Sequence, residues 1–123
     1  MFWYKNKQKK EESIYSNGYK NGLSTKWYIN GVKKVQGSFK KGTPDGLYTE
    51  WYKNRQKSVE GVFLNGEENG LSTRWYINGK KKEEGSYKNG EKDGSFTFWS
   101  KNGKKKVKYY KNGLLIPEKI LKE

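Results

Sequence analysis

Apolar and polar residues alternate along most of this chain, and the alternation restarts at a fixed interval. In Leu47-Tyr48-Thr49-Glu50-Trp51 the first, third and fifth residues share one face of an extended strand. The pattern recurs as Leu23-Ser24-Thr25-Lys26-Trp27, Leu71-Ser72-Thr73-Arg74-Trp75 and Ser95-Phe96-Thr97-Phe98-Trp99. With Trp3, the tryptophans Trp27, Trp51, Trp75 and Trp99 stand 24 residues apart, which marks a repeat architecture. No 3.6-residue period competes with the alternation, so the repeats read as strands.

Turns separate the strands. Three residues after each Trp comes an Asn, and Gly follows it at Gly31, Gly79 and Gly103. Asn-Gly between β-like runs predicts a type I′ hairpin, which needs positive φ at both central residues. Lys7 and Arg55 occupy the second position less comfortably, so those two turns are expected to be looser. A polar stretch follows, with Gly37, Gly61 or Gly85 in it and Phe39, Phe63 or Tyr87 two residues later on the same face. Each such Gly clears space for a neighbouring ring to lie over bare backbone. A second turn region then leads to Gly22, Gly46, Gly70 or Gly94, each preceded by Asn or Asp. Each period therefore holds two strands of about eight residues, and the chain a meander of about nine or ten.

The ends differ from the middle. The chain starts two residues before the first Trp. Near the other end, Tyr110-Lys111-Asn112-Gly113 falls 23 residues after Tyr87-Lys88-Asn89-Gly90, one short of the repeat. Leu114-Leu115-Ile116 is the densest aliphatic run, and Pro117 can start a helix. Residues 1–113 thus read as a single array of about five repeats, and residues 114–123 as a C-terminal cap with one or two helical turns.

Composition narrows the picture. Hydrophobic residues are only 31%, aromatics are 16%, and Ala is absent. Such polarity with a net charge of +14 would suggest disorder, but large rings bury enough area to oppose it. There is no Cys, so no disulfide or thiolate site. No apolar run is long enough for a membrane-spanning helix, and residues 1–10 lack the apolar core of a signal peptide. Cytoplasm is the default compartment, with export if a leader was removed from a longer parent. The basic residues are nearly all Lys, with only Arg55 and Arg74, and Asn is abundant, as coding bias in an AT-rich genome would produce.

The glycine spacing resembles a known repeat. Gly37-Ser38-Phe39-Lys40-Lys41-Gly42-Thr43-Pro44-Asp45-Gly46 is similar to the membrane occupation and recognition nexus (MORN) motif. Copies run from Gly61 through Phe63 and Gly66 to Gly70, and from Gly85 through Tyr87 and Gly90 to Gly94. A degenerate copy runs from Ser13 through Tyr15 and Gly18 to Gly22. The linking Trp-Tyr-x-Asn-Gly segment resembles the variant found in bacterial YwqK-type antitoxin proteins. The resemblance implies single-layered, twisted sheets of stacked hairpins. It also implies a binding or scaffold role, dimerisation, debated lipid binding, or neutralisation of a partner toxin.

Two constellations are candidates for binding. In the aromatic ladder, Trp27, Trp51, Trp75 and Trp99 read as the core spine of a chain poor in aliphatics. Tyr28, Tyr52 and Tyr76, pointing to the other face by alternation, read as the better contact residues, because Tyr suits half-wet surfaces. In the lysine rows, Lys33, Lys34, Lys57, Lys81 and Lys82 follow the turns and would stack as a stripe along one edge. Glu11, Glu12, Glu60, Glu83 and Glu84 come shortly after and are expected to pair with them across strands. The stripe suits an acidic partner or anionic lipid. Scarce Arg argues against nucleic acid.

Catalysis has little support. There is no His and no Cys, and the glycines match neither a P-loop nor a dinucleotide fingerprint. No cofactor or metal is expected. The fold expected is all-β, an elongated twisted antiparallel meander of stacked 24-residue β-hairpins with Gly37, Gly61, Gly85, Gly46, Gly70 and Gly94 as structural positions. The function expected is a non-catalytic binding module for a protein, with a toxin as the partner the resemblance implies. The alternative is a peripheral module on anionic lipid, and an exposed end strand could also pair two copies. Deleting residues 114–123 should lower thermal stability or cause aggregation. A truncated chain that melts like the full one and stays soluble would refute the capping role.

Overall fold

A computed structural model describes residues 2–3 and 9–117. Its strands are β1 (Phe2–Trp3), β2 (Lys9–Ser16), β3 (Tyr19–Trp27), β4 (Lys33–Lys40), β5 (Thr43–Trp51) and β6 (Lys57–Leu64). They continue with β7 (Glu67–Glu68), β8 (Gly70–Trp75), β9 (Lys81–Lys88), β10 (Glu91–Trp99), β11 (Lys105–Lys111) and β12 (Leu114–Ile116). All belong to one open antiparallel sheet in meander order, with β7 and β8 end to end along β6. The described residues contain no helix.

The two turn regions have different geometries. At the glycine-motif end, Asn17, Lys41, Asn65, Asn89 and Asn112 have φ of 51–52° and the following glycines 81–87°. With two-residue loops between paired ends such as Lys40 and Thr43, these are the type I′ hairpins. At the tryptophan end the type I′ expectation is corrected. Only the last loop residue has positive φ: Gly31, Gly79 and Gly103 at 84–89°, and Arg55 at 76°. Gly31 N donates to Tyr28 O at 2.9 Å and Tyr28 N to Val32 O at 2.8 Å, a type I turn closed by a left-handed residue. The Asn side chain explains the choice, because Asn30 Oδ1 accepts from Val32 N at 3.0 Å and stays in the negative-φ region. Arg55 keeps the same turn with a 3.1 Å bond to Tyr52 O, looser by a little and not rearranged. The turn at Lys7 lies outside the described residues.

Two irregularities recur in each repeat. One follows the leading glycine, where Gly37 opposes Tyr48 but Phe39 opposes Pro44. The other follows each tryptophan turn. Trp27 opposes Lys33 and Lys26 opposes Val35, which leaves Lys34 as an extra residue on β4. Ser58 and Lys82 are the extra residues on β6 and β9. Between β10 and β11 the pairing runs without a shift from Gly94 to Trp99. The residue missing from the last repeat is thus the bulge residue.

Burial is spread along rows that cross the strands. Gly37 and Gly61 flank Tyr48, and Gly85 lies opposite Phe96. Phe96 is 1% exposed, because its ring covers the bare backbone of Gly85 and meets Tyr87 and Tyr110 edge-on at 5.4 Å each. Phe63 meets Tyr48 the same way at 5.5 Å. The opposite face carries the tryptophans, with Thr25, Thr49 and Thr73 buried two residues before them. The tryptophan spine is not the most buried part. Val32 and Phe96 are the buried apolar residues among those described, while Trp27, Trp51, Trp75 and Trp99 are half-buried. A one-layer sheet has nothing to set over a large ring on its outer side.

Leu114–Ile116 is the edge strand on β11, with Leu114 74% exposed. It extends the sheet by one short strand. The expected helical turns fall on residues 118–121, outside the described residues.

Gly85→Ala should cost about 1–3 kcal/mol in urea unfolding, since a Cβ would sit inside the Phe96 ring. Phe96→Ala should cost about 3–5 kcal/mol. The double variant should cost clearly less than the sum, because removing the ring removes the clash. Additive losses would show that the two residues do not share this space.

Candidate functional site

The tryptophan face is built by alternation across strands. Trp27 opposes Lys33, Trp51 opposes Lys57, Trp75 opposes Lys81 and Trp99 opposes Lys105. Each lysine lies between two tryptophan strands. Lys9 Nζ stands 5.9 Å from the Trp27 ring centre, Lys33 Nζ 5.7 Å from that of Trp51 and Lys81 Nζ 6.0 Å from that of Trp99. An ammonium over an indole face is attracted by the ring quadrupole, by about 0.5–1 kcal/mol at exposed sites. The result is a Trp–Lys ladder rather than a stack of rings.

The bulge divides the lysine pairs. Lys33, Lys57 and Lys81 face the tryptophans, whereas Lys34 and Lys82 lie 5.7 Å from the ring centres of Tyr28 and Tyr76. The expected single stripe is therefore two sets with different aromatic neighbours. The bulge also corrects the ion pairing. Without it, residues three apart would point to opposite faces. With it, Lys57 opposes Trp51 and Glu60 opposes Thr49 on one face, and they pair along their own strand at 2.7 Å. Lys9–Glu12 at 2.8 Å and Lys81–Glu84 at 3.0 Å repeat this. Cross-strand pairing is confined to the other face, at Lys20–Glu11 and Arg74–Glu83.

The buried threonines hold these carboxylates. Thr49 Oγ1 donates to Glu60 at 3.4 Å and Thr73 Oγ1 to Glu84 at 2.8 Å. One copy differs. Position 36 is Gln, and its Nε2 donates to Thr25 Oγ1 at 2.9 Å. Lys33 has no carboxylate there.

The tyrosines named from the sequence are staples between repeats. Tyr28 donates its hydroxyl to Trp51 O at 2.8 Å, Tyr52 to Trp75 O at 2.7 Å and Tyr76 to Trp99 O at 2.6 Å. Asn30 and Asn54 add bonds to Lys53 O at 3.2 Å and Ile77 O at 2.9 Å. Asp45 accepts from Asn65 N in the next hairpin at 3.3 Å. The tyrosine hydroxyls are engaged within the fold, and lysines lie over the rings of Tyr28 and Tyr76.

A different row is open. Leu23, Leu47 and Leu71 share the tryptophan face by alternation and are 47%, 56% and 56% exposed. Val62 opposes Leu47, and Ile14 and Tyr109 continue the row towards the two edges. Alternation placed these leucines beside Thr and Trp, but their exposure needed the sheet to be a single layer. Among the described residues no group of three His, Cys, Asp or Glu is placed to hold a metal ion.

Burial by itself would raise the Glu84 carboxyl, but hydrogen bonds from Lys81 and Thr73, with the Lys81 charge, hold it below the ordinary 4.5. A carboxyl depressed in the folded state stabilises it above the unfolded value, and that contribution is lost as pH falls through the folded one. Glu84→Gln should therefore lower stability at pH 7 by about 0.2–1 kcal/mol, the range of an exposed pair, and the difference should vanish near the acid limit. Urea midpoints for both chains across pH 2–7 check this, and a gap independent of pH would refute it.

No protein-family model matches the chain, and no curated protein matches it.

Proposed function

We propose that this chain is a non-catalytic repeat module, of the MORN type its glycine spacing resembles, that binds an acidic protein across its tryptophan face. One observation carries the reading. Exposed aliphatics, Ile14, Leu23, Leu47, Val62 and Leu71, run in a row beside the Trp–Lys ladder, on a sheet over which no second layer is packed among the described residues. Apolar rows rimmed by charge are the usual anatomy of protein interfaces. The net charge of +14 selects an acidic partner and speeds encounter with it. Neutralisation of a toxin is the specific form that the YwqK-type resemblance suggests.

The second reading, a module on anionic lipid, draws on the same lysines. The aliphatic row is what favours a protein, since it offers shaped contact along several strands.

Leu47→Glu and Leu71→Glu change only exposed positions, so both variants should fold. Binding to the product of the neighbouring gene, co-expressed and measured by calorimetry, should weaken at least about tenfold in each. Unchanged affinity in the folded variants would reject this face. Flotation of the wild-type chain with phosphatidylserine vesicles, lost in the variants, would replace the protein partner by lipid.

A further inference from the structure

Among the four rungs that carry the bulge spacing, at Lys9, Lys33, Lys57 and Lys81, one differs, and the difference leaves a charge unanswered; the last rung, at Lys105, lacks the bulge and has Lys108 where a glutamate would follow. At three of these rungs the lysine beside a tryptophan is bound by a glutamate of its own strand. These are Lys9–Glu12, Lys57–Glu60 and Lys81–Glu84, at 2.7–3.0 Å. The rung between the first two has Lys33 and Gln36. An amide does not neutralise an ammonium, and the Gln36 amide is turned to Thr25. Lys33 keeps only the face of Trp51, and no ion pair to it forms among the described residues.

A second cation adjoins it. Arg55 stands where the other described tryptophan turns have Gly, at φ 76°. Its position lines one groove of about 410 Å³ with Trp27, Gly31, Val32, Lys33 and Trp51. No carboxylate lines that groove, and no ion pair to Arg55 forms among the described residues. Val32, 7% exposed, floors it. Two cations and two indoles thus line a groove beside a rung that lacks the acid of its sisters.

We propose that this groove is a seat for a carboxylate side chain of the acidic partner, an assignment that rests on the protein-binding reading above. The molecule supplies the precedent for the ligand: at the sister rungs the group bound to the equivalent lysine is a glutamate carboxylate. Lys33 provides the ammonium, and Arg55 adds a planar fork suited to both carboxylate oxygens. Trp27 and Trp51 line the groove and lower the local dielectric beside the pair, which strengthens it. A nucleobase fits less well, because stacking on Trp51 would have to displace Lys33 from the ring.

Two exchanges test the seat. Gln36→Glu returns the internal acid and should close it. Glu60→Gln withdraws the acid at Lys57 and should open a second one. The probe is a capped tetraglutamate peptide, followed by the indole N–H signals in NMR. In the wild-type chain the signals of Trp27 and Trp51 should shift saturably and ahead of Trp75, whose flanking lysines are both bound by glutamates. In Gln36→Glu the affinity should fall about fivefold or more with no drop in melting temperature. In Glu60→Gln the Trp75 signal should join the response.

Equal affinity in Gln36→Glu, or parallel shifts at all the indoles, would overturn the seat in favour of diffuse charge. Inorganic phosphate or a single-stranded oligonucleotide shifting Trp51 more strongly than the peptide would overturn the carboxylate assignment. If the peptide fails while Leu47→Glu still disrupts the partner complex, the seat falls and the protein-binding reading stands. If the peptide seats as described while Leu47→Glu and Leu71→Glu leave the complex intact, the face reading falls and the seat remains.

Discussion

A sheet one layer thick has to bury its side chains against the neighbouring strands, since nothing faces it from above. This constraint orders the whole molecule. Contacts between strands concentrate on immediate neighbours. Stability must come from rows: rings over glycines on one face, threonines under glutamates and indoles under lysines on the other. Each row joins one repeat to the next, so removing a member weakens two interfaces at once. The staples from Tyr28, Tyr52 and Tyr76 to the next tryptophan carbonyl do the same for the turns. The buried polar atoms this architecture creates are satisfied throughout the described residues.

The single-residue bulge after each tryptophan turn connects the fold to its charge pattern. A strand alternates faces with period two, and one extra residue changes the phase. It brings a lysine and a glutamate three apart onto the same face, beside the buried threonine that donates to the acid. It also sends the next lysine to the tyrosine side. The last repeat lacks the bulge, so Val107 opposes Thr97 where the earlier repeats place Gln or Glu. A glutamate lies on the other side of Thr97, from β9, and the row ends there in an apolar residue.

This arrangement makes the surface basic, with a subset of its cations answered by the five ion pairs formed among the described residues. Lysines over rings and beside glutamates are held in place, with part of their charge answered internally. The net excess is felt where an acid has been replaced, as at Gln36 beside Lys33 and Arg55. The exposed aliphatic row lies along the same face, so the geometry joins apolar contact and a local positive charge within one surface. The aromatic face beneath Tyr48 and Phe96 contributes stability instead. There burial first, then nearby carboxylates, raises the Tyr48 and Tyr87 hydroxyls, as suits rings packed into a fold.

The repeat, the strand class and the meander were legible in the sequence because a 24-residue period and a two-residue alternation are local signals. So was the use of glycine beneath a ring, which Gly37 with Tyr48 and Gly85 with Phe96 display. The turn at the tryptophans was misread because Asn-Gly carries two meanings. Both central φ values are positive in a two-residue loop, but only the last is positive when the Asn side chain closes the loop itself. The tertiary structure alone decided burial and pairing. The tryptophans share a face with Thr and Leu, as alternation requires, yet an open sheet buries the small threonines and leaves the leucines out. Lys57 and Glu60 became partners only through a bulge at Ser58 that no residue type announces. What the sequence determined was the order of strands and faces. Which side chains touch, and where a charge stands alone, depended on how neighbouring strands shift against each other.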